Sequence, residues 1–183
     1  MVLAQLEGEE RAQAEKMLID YLPDTRGVIG LGALRSRRAE PELAALFEAE
    51  QRRQREFGND WYPSSLTYLA KALWQIRPDP RWSAALIGVL VSAKEAVHRW
   101  SAAHALYDVR DAAAKPALVA ALDDPEALVR YHAARALLAQ HGLPADSDDR
   151  EHMLYRVMSN DAARHEGGKN AILAAIAGQS APP

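Results

Sequence analysis

Between residues 114 and 142 the chain reads AKPALVAALDDPEALVRYHAARALLAQHG, with its apolar residues in two short helical stripes on either side of an acidic corner, Asp123-Asp124-Pro125. In the first stripe Leu118, Val119 and Leu122 form an apolar face, and Pro116 fits a first helical turn, where a missing N–H costs little. In the second, Val129, Ala133, Ala136, Leu137 and Gln140 fall within about 100° of one another when each residue is turned by 100°. Gly142 supplies the left-handed residue that commonly ends a helix, and Pro144 follows where a helix cannot continue. Two helices this short cannot bury both apolar faces alone. They need neighbours.

The remaining pattern supplies them. Helices are expected over residues 9–22, with Ala12, Met17, Leu18 and Tyr21 facing inward, over 25–37, and over 40–55, where Leu43, Leu46 and Phe47 are the buried set and the C-terminal half is a charged, solvated face. The longest connector, residues 57–63, holds Trp61 and Tyr62, either as binding residues or as a plug between repeats. Further helices follow at 64–77, 82–92, 95–110, 150–158 and 170–176. The GVIGLGAL run of residues 27–34 resembles a dinucleotide-binding glycine motif only superficially. Its third glycine would fall at Arg35 and no strand precedes it, so it is read as close helix packing.

The stretch from 114 to 142 resembles a HEAT repeat of the short, alanine-rich bacterial kind, through Pro116, Ala117, Leu118, Ala121, Leu122 and Asp124 in the first helix and Val129, Arg130, Ala133, Ala134, Ala136 and Leu137 in the second. The second-helix leucine recurs as Leu34, Leu73, Leu106 and Leu137, with Ile172 as a weaker fifth anchor, at intervals of 39, 33, 31 and 35 residues. The closest internal match lays residues 98–106 (HRWSAAHAL) over 129–137 (VRYHAARAL). The resemblance implies an all-α, right-handed α-solenoid of about five helical hairpins, one repeat domain over residues 1–178 with a flexible tail at 179–183. It also implies that the repeated arginines, Arg99 and Arg130, bond the acidic corner of a neighbouring repeat. His98 and His132 sit at helix shoulders and are read as hydrogen-bonded packing residues rather than ligands.

Composition narrows the possible chemistry. With 49% apolar and 26% charged residues the chain is too apolar for disorder, and it shows no sustained alternation that would build a sheet. Without cysteine it has no disulfide framework and no thiolate nucleophile. No secretory leader and no membrane-spanning stretch are read, so the expected compartment is the cytoplasm. A net charge of −3 argues against a general nucleic-acid binder. The acidic run Asp146, Asp148, Asp149 and Glu151 lacks the calcium-loop glycine and is read as charge at a helix N-terminus. No histidine pair has metal-ligand spacing, and no nucleophile elbow or phosphate loop occurs; neither a cofactor nor a catalytic residue is assigned.

Function is then sought on the second helices, which in the family resembled line a concave surface. The residues two, six and nine places beyond the core position equivalent to Val129 point farthest from the core. These are Val28, Gly32 and Arg35; Thr67, Lys71 and Trp74; Trp100, His104 and Tyr107; Tyr131, Arg135 and Leu138; and Glu166, Asn170 and Leu173. The partner-binding set drawn from them is Arg35, Lys71, Trp74, Trp100, His104, Tyr107, Tyr131 and Arg135, an aromatic and mildly basic groove. It suits a partner protein with an acidic or aromatic-accepting surface. The expectation is a non-enzymatic interaction module, with an immunity- or inhibitor-type role as one version. Two alternatives rest on resemblance: an alkyl-base DNA glycosylase, with Trp74, Trp100, Tyr131 and Asp108 cast for its site, and a bilin lyase subunit. Packing against the adjacent repeat is the competing role for each aromatic residue.

Overall fold

The computed structural model describes residues 3–58, 64–143 and 148–178, and among these every regular element is helical. The α-helices run α1 (Gly8–Asp20), α2 (Thr25–Ala33), α3 (Glu40–Phe57), α4 (Ser64–Ile76), α5 (Pro80–Ser92), α6 (Ala96–Val109), α7 (Lys115–Ala120), α8 (Ala127–Gln140), α9 (Asp148–Val157) and α10 (Ala162–Ala177). The five anchors Leu34, Leu73, Leu106, Leu137 and Ile172 all fall on the second helix of successive pairs or at its end, and each is at most 1% exposed. Trp61, Tyr62, Asp146 and the tail at 179–183 lie outside the described residues, as do the side chains of Asp148 and Asp149. The chain forms two compact units, Met1–Ala85 and Leu86–Pro183.

In the first unit α2 packs on α1 and α4, and α3 packs on α4. The glycines of α2 make this possible. A Cβ on Gly27 would stand 2.8 Å from the Leu18 carbonyl oxygen, one on Gly30 would meet the Leu18 methyls, and one on Gly32 would lie 2.8 Å from the Ala72 backbone. The glycine run therefore serves close helix packing. Leu34 and Arg35 then close α2: Arg35 takes φ 51°, and the Ser36 N–H donates back to the Leu31 carbonyl at 3.0 Å, the bond that satisfies a helix C-terminus. Leu43 and Phe47 fill the core, with Phe47 edge-on to Trp82 at 5.0 Å between centroids.

Helix α1 turns a different side inward from the one expected. Ala12, Met17 and Tyr21 are exposed, and the half-buried stripe is Arg11, Ala14, Glu15, Leu18, Ile19 and Leu22. Two of these are charged, yet both are bonded. Arg11 donates to the Leu34 carbonyl and the Ser36 hydroxyl donates to the Glu15 carboxylate. Counting apolar residues alone rotates the helix, because it leaves those partners out.

In the second unit α6 and α8 lie against each other, α8 also meets α7, α9 and α10, and α9 pairs with α10. Alanines 102, 103 and 105 of α6 and 133, 134 and 136 of α8 are all buried; side chains this short let two backbones approach closely. Helix α7 continues as a 3-10 turn over Ala121–Asp123 before the acidic corner. Gly142 takes φ 68°, and the Leu143 N–H bonds the Leu138 carbonyl at 2.9 Å, closing α8 as expected. Helix α10 begins eight residues earlier than the apolar pattern suggests. The Asp161 carboxylate caps it by accepting from the Arg164 N–H at 2.9 Å, and its glycine pair, Gly167-Gly168, lies where the α9 backbone crosses rather than in a loop.

Candidate functional site

Two arginines fasten the second unit together and stay out of its exposed face. Arg99 forms a forked ion pair with Asp124 of the next acidic corner, Nε to Oδ2 at 2.7 Å and Nη2 to Oδ1 at 2.9 Å, with both side chains largely enclosed. Its hydrogen bonds to Asp124 hold the Arg99 guanidinium above its usual pKa range. This is the role that the repeated arginine position leads one to expect. Arg130 is structural by another route. It is 5% exposed and donates to carbonyl oxygens: those of Asp124 and Pro125 at the start of its own repeat, and those of Val157 at 2.7 Å, Met158 at 2.8 Å and Ser159 at 3.2 Å at the end of α9. Its bonds therefore go to carbonyl groups that a helix end leaves unsatisfied, and not to an acidic side chain.

The expected site residues of α6 and α8 come together. Trp100, Tyr107, Tyr131 and Arg135 are half-buried and His104 is exposed. The Arg135 guanidinium carbon stands 4.8 Å from the centre of the Tyr107 ring and 5.6 Å from that of Tyr131, and Arg110 reaches the Tyr107 ring at 6.0 Å. Rings and guanidinium planes attract one another in this arrangement, so Arg135 is held over two aromatic side chains that sit on different helices. Spacing explains the convergence. Trp100, His104 and Tyr107 succeed one another by four and three residues along one face of α6, as Tyr131 and Arg135 do by four along α8.

The centre of this constellation is a residue the sequence reading set aside as a shoulder. His132 stacks on Trp100 with centroids 5.5 Å apart and 25° between planes. His104 meets it edge-on at 5.1 Å and Tyr131 at 5.2 Å. Burial, then the neighbouring His104 and Arg135, lower its pKa from 6.5 to about 4, so the ring is neutral near pH 7. The internal match could have pointed to it: in laying 98–106 over 129–137, the serine of the earlier copy, Ser101, falls on His132, a ring gained next to the position that holds Trp100 in one copy and Tyr131 in the other.

Four other expected groove positions do not reach solvent, while Glu166 and Asn170 are exposed on α10. Leu138 is fully buried, because α8 is enclosed by α6, α7, α9 and α10 and so has more than one buried side. Val28, Gly32 and Thr67 are buried too, since α2 and α4 press those faces on each other. Arg35, Lys71 and Trp74 belong to the first unit. There Arg35 is exposed at the left-handed end of α2, while Lys71 and Trp74 are half-buried three residues apart on α4. Of the residues cast for a glycosylase site, Trp100 and Tyr131 share the α6–α8 cluster, Asp108 is exposed on α6, and Trp74 lies in the first unit.

Among the described residues no group of three or more His, Asp or Glu side chains is placed to hold a metal ion, and no helix is long and apolar enough to cross a membrane. No curated protein and no solved structure matches the chain. The family model of the HEAT repeats matches residues 59–138, which takes in α4 through α8 and with them every member of the aromatic cluster. Residues 59–138 are thus HEAT-repeat sequence, and the succession of helical pairs is of the all-α, α-solenoid class.

Proposed function

We propose that the face formed by α6 and α8 docks a partner protein, with Trp100, Tyr107, Tyr131 and Arg135 as its anchors and His104 at its margin. HEAT repeats generally mediate protein interactions. The observation that carries the reading is the mutual ordering of the cluster: His132 braces Trp100 and Tyr131, and Arg135 bridges Tyr131 and Tyr107. Side chains already fixed against one another lose little freedom on binding, and Trp, Tyr and Arg are the residues in which interface energy concentrates. Arg135 is bonded to no carboxylate among the described residues, so an acidic group on the partner would find its cation unspent. In the inhibitor version of this reading the partner is an enzyme whose acidic rim or aromatic edge fits the same face.

A photo-crosslinking amino acid placed at His104 tests this. The partner captured there is re-measured for affinity against Trp100→Ala, Tyr131→Ala and Arg135→Glu, with Tyr155→Ala, an exposed aromatic on α9, as control. Each of the first three is expected to weaken binding by about thirtyfold or more, the size of a hot-spot truncation, and the control by less than about twofold. Equal affinity for all four variants, with unchanged thermal melts, refutes the assignment of the face.

A further inference from the structure

A second feature, on other helices, accounts for residues that neither the packing nor the aromatic face uses. Between α9 and α10 lies a cleft of about 440 Å³ lined by His152, Tyr155, Arg156, Ser159 and Arg164. Four of the five stand on α9 and its C-terminal end at spacings of three, one and three residues, which aligns them along one side, and Arg164 faces them from the first turn of α10. Among the described residues no carboxylate lines the cleft, in a protein that is acidic overall. Neither arginine is bonded to a carboxylate among the described residues. Of the nearby acids, Asp161 is engaged through Oδ1 with the backbone N–H of Arg164 as the cap of α10, and Glu166 accepts from the Asn170 side-chain amide.

Two local details shape the cleft for an acceptor. The Asp161 N–H donates to Ser159 Oγ at 3.1 Å, so the hydroxyl's own proton is left to give. Gly167 has no Cβ, and the tip of the Arg156 guanidinium occupies the position a Cβ would take, which brings it up against α10. Two guanidinium forks, an imidazole, a phenol and a hydroxyl offer more donors than the two oxygens of a carboxylate can use. A phosphate group has three terminal oxygens and a charge of about −1.5 to −2.

We infer that the α9–α10 cleft binds a phosphate group, free or as a small monoester, with Arg156 and Arg164 as its principal ligands. The site stands independently of the proposed docking face, since none of its residues belongs to α6 or α8.

The test is a titration of the isotope-labelled full chain, followed by amide NMR, with inorganic phosphate, glycerol phosphate and acetate, each against sodium chloride at matched ionic strength. Saturable shifts concentrated between residues 152 and 168 are expected, with acetate at least about tenfold weaker than either phosphate. The relative affinity of the two phosphates tells free ion from ester. Arg156→Gln with Arg164→Gln is expected to weaken binding by about tenfold or more, with the helical melt retained because both side chains are exposed. Gly167→Ala, which displaces only the flexible tip of Arg156, is expected to weaken it by a smaller factor. Shifts that chloride reproduces, acetate binding as tightly as phosphate, or an arginine double variant that titrates like wild type would each overturn the inference.

Discussion

His132 makes the fold of the second unit sensitive to acid, and the size of the effect follows from its surroundings. In the folded protein its pKa lies at about 4, against 6.5 for an unburied imidazole, because burial and then the charges of His104 and Arg135 disfavour the imidazolium. Between these values the unfolded chain holds a proton that the folded chain does not, so stability falls as pH falls. The loss begins near pH 6.5, reaches about 2 kcal/mol at about pH 5, and levels off at about 3 kcal/mol once both states are protonated below about pH 4. Urea unfolding at about pH 7.5 and about pH 5, for wild type and His132→Gln, isolates this share. Contributions common to both proteins cancel in the difference. Wild type is expected to lose about 2 kcal/mol more than the variant on acidification, roughly 1 M in urea midpoint for a slope near 2 kcal/mol per molar. His104→Gln, which removes one of the neighbours that lower the His132 pKa, is expected to give an intermediate loss. Parallel pH profiles for wild type and His132→Gln would refute the argument, since they would mean the ring titrates equally in both states.

Three other substitutions probe the packing of the second unit. Arg130→Met leaves the carbonyl groups of Val157, Met158 and Ser159 without their shared donor, and is expected to cost about 3 to 5 kcal/mol, seen as a melting point lower by roughly 10 °C with hydrogen-exchange protection lost first in α9 and α10. Gly168→Ala and Gly88→Ala are expected to act in opposite directions in the same melting assay. At Gly168 a Cβ would stand 2.5 Å from the Val157 nitrogen, so α9 and α10 must part at a cost of about 2 kcal/mol. At Gly88 nothing lies within 4 Å, so the helix gains about 0.5 to 1 kcal/mol.

What could be read from the sequence divides by physical cause. The five anchors were legible because a leucine or isoleucine that must be excluded from water recurs at a fixed place in each hairpin, and periodicity records exclusion directly. Arg99 was legible because its partner, Asp124, matches the acidic position of the repeat pattern. The inward side of α1 was not, since Arg11 and Glu15 are accommodated through bonds to Leu34 and Ser36, more than twenty residues away. Nor was the start of α10, because a glycine pair reads as a break until the backbone of α9 is seen lying against it. The outward stripe of the second helices was half legible. Trp100, His104, Tyr107, Tyr131 and Arg135 share a face as projected, whereas Leu138, Val28, Gly32 and Thr67 are buried by neighbours that a single-helix projection leaves out.

His132 shows why the centre of the candidate site escaped a projection that found its rim. On the helical wheel it stands one position from Tyr131, turned from the outermost direction toward α6, which is where a residue must point to touch the adjacent repeat. That sideways position lets one imidazole contact Trp100 and His104 on α6 and Tyr131 on its own helix. A core residue could not reach the surface. The choice between packing and docking that the sequence posed for Trp100 and Tyr131 is thus not a choice between alternatives. Their contacts with His132 cover the seam between repeats, and the same contacts fix the rings in the orientation a partner would meet. It follows that His132→Ala should weaken partner binding through Trp100 and Tyr131 without His132 touching the partner, whereas Arg135→Glu should act directly and leave the Trp100 environment, read by its fluorescence, unchanged.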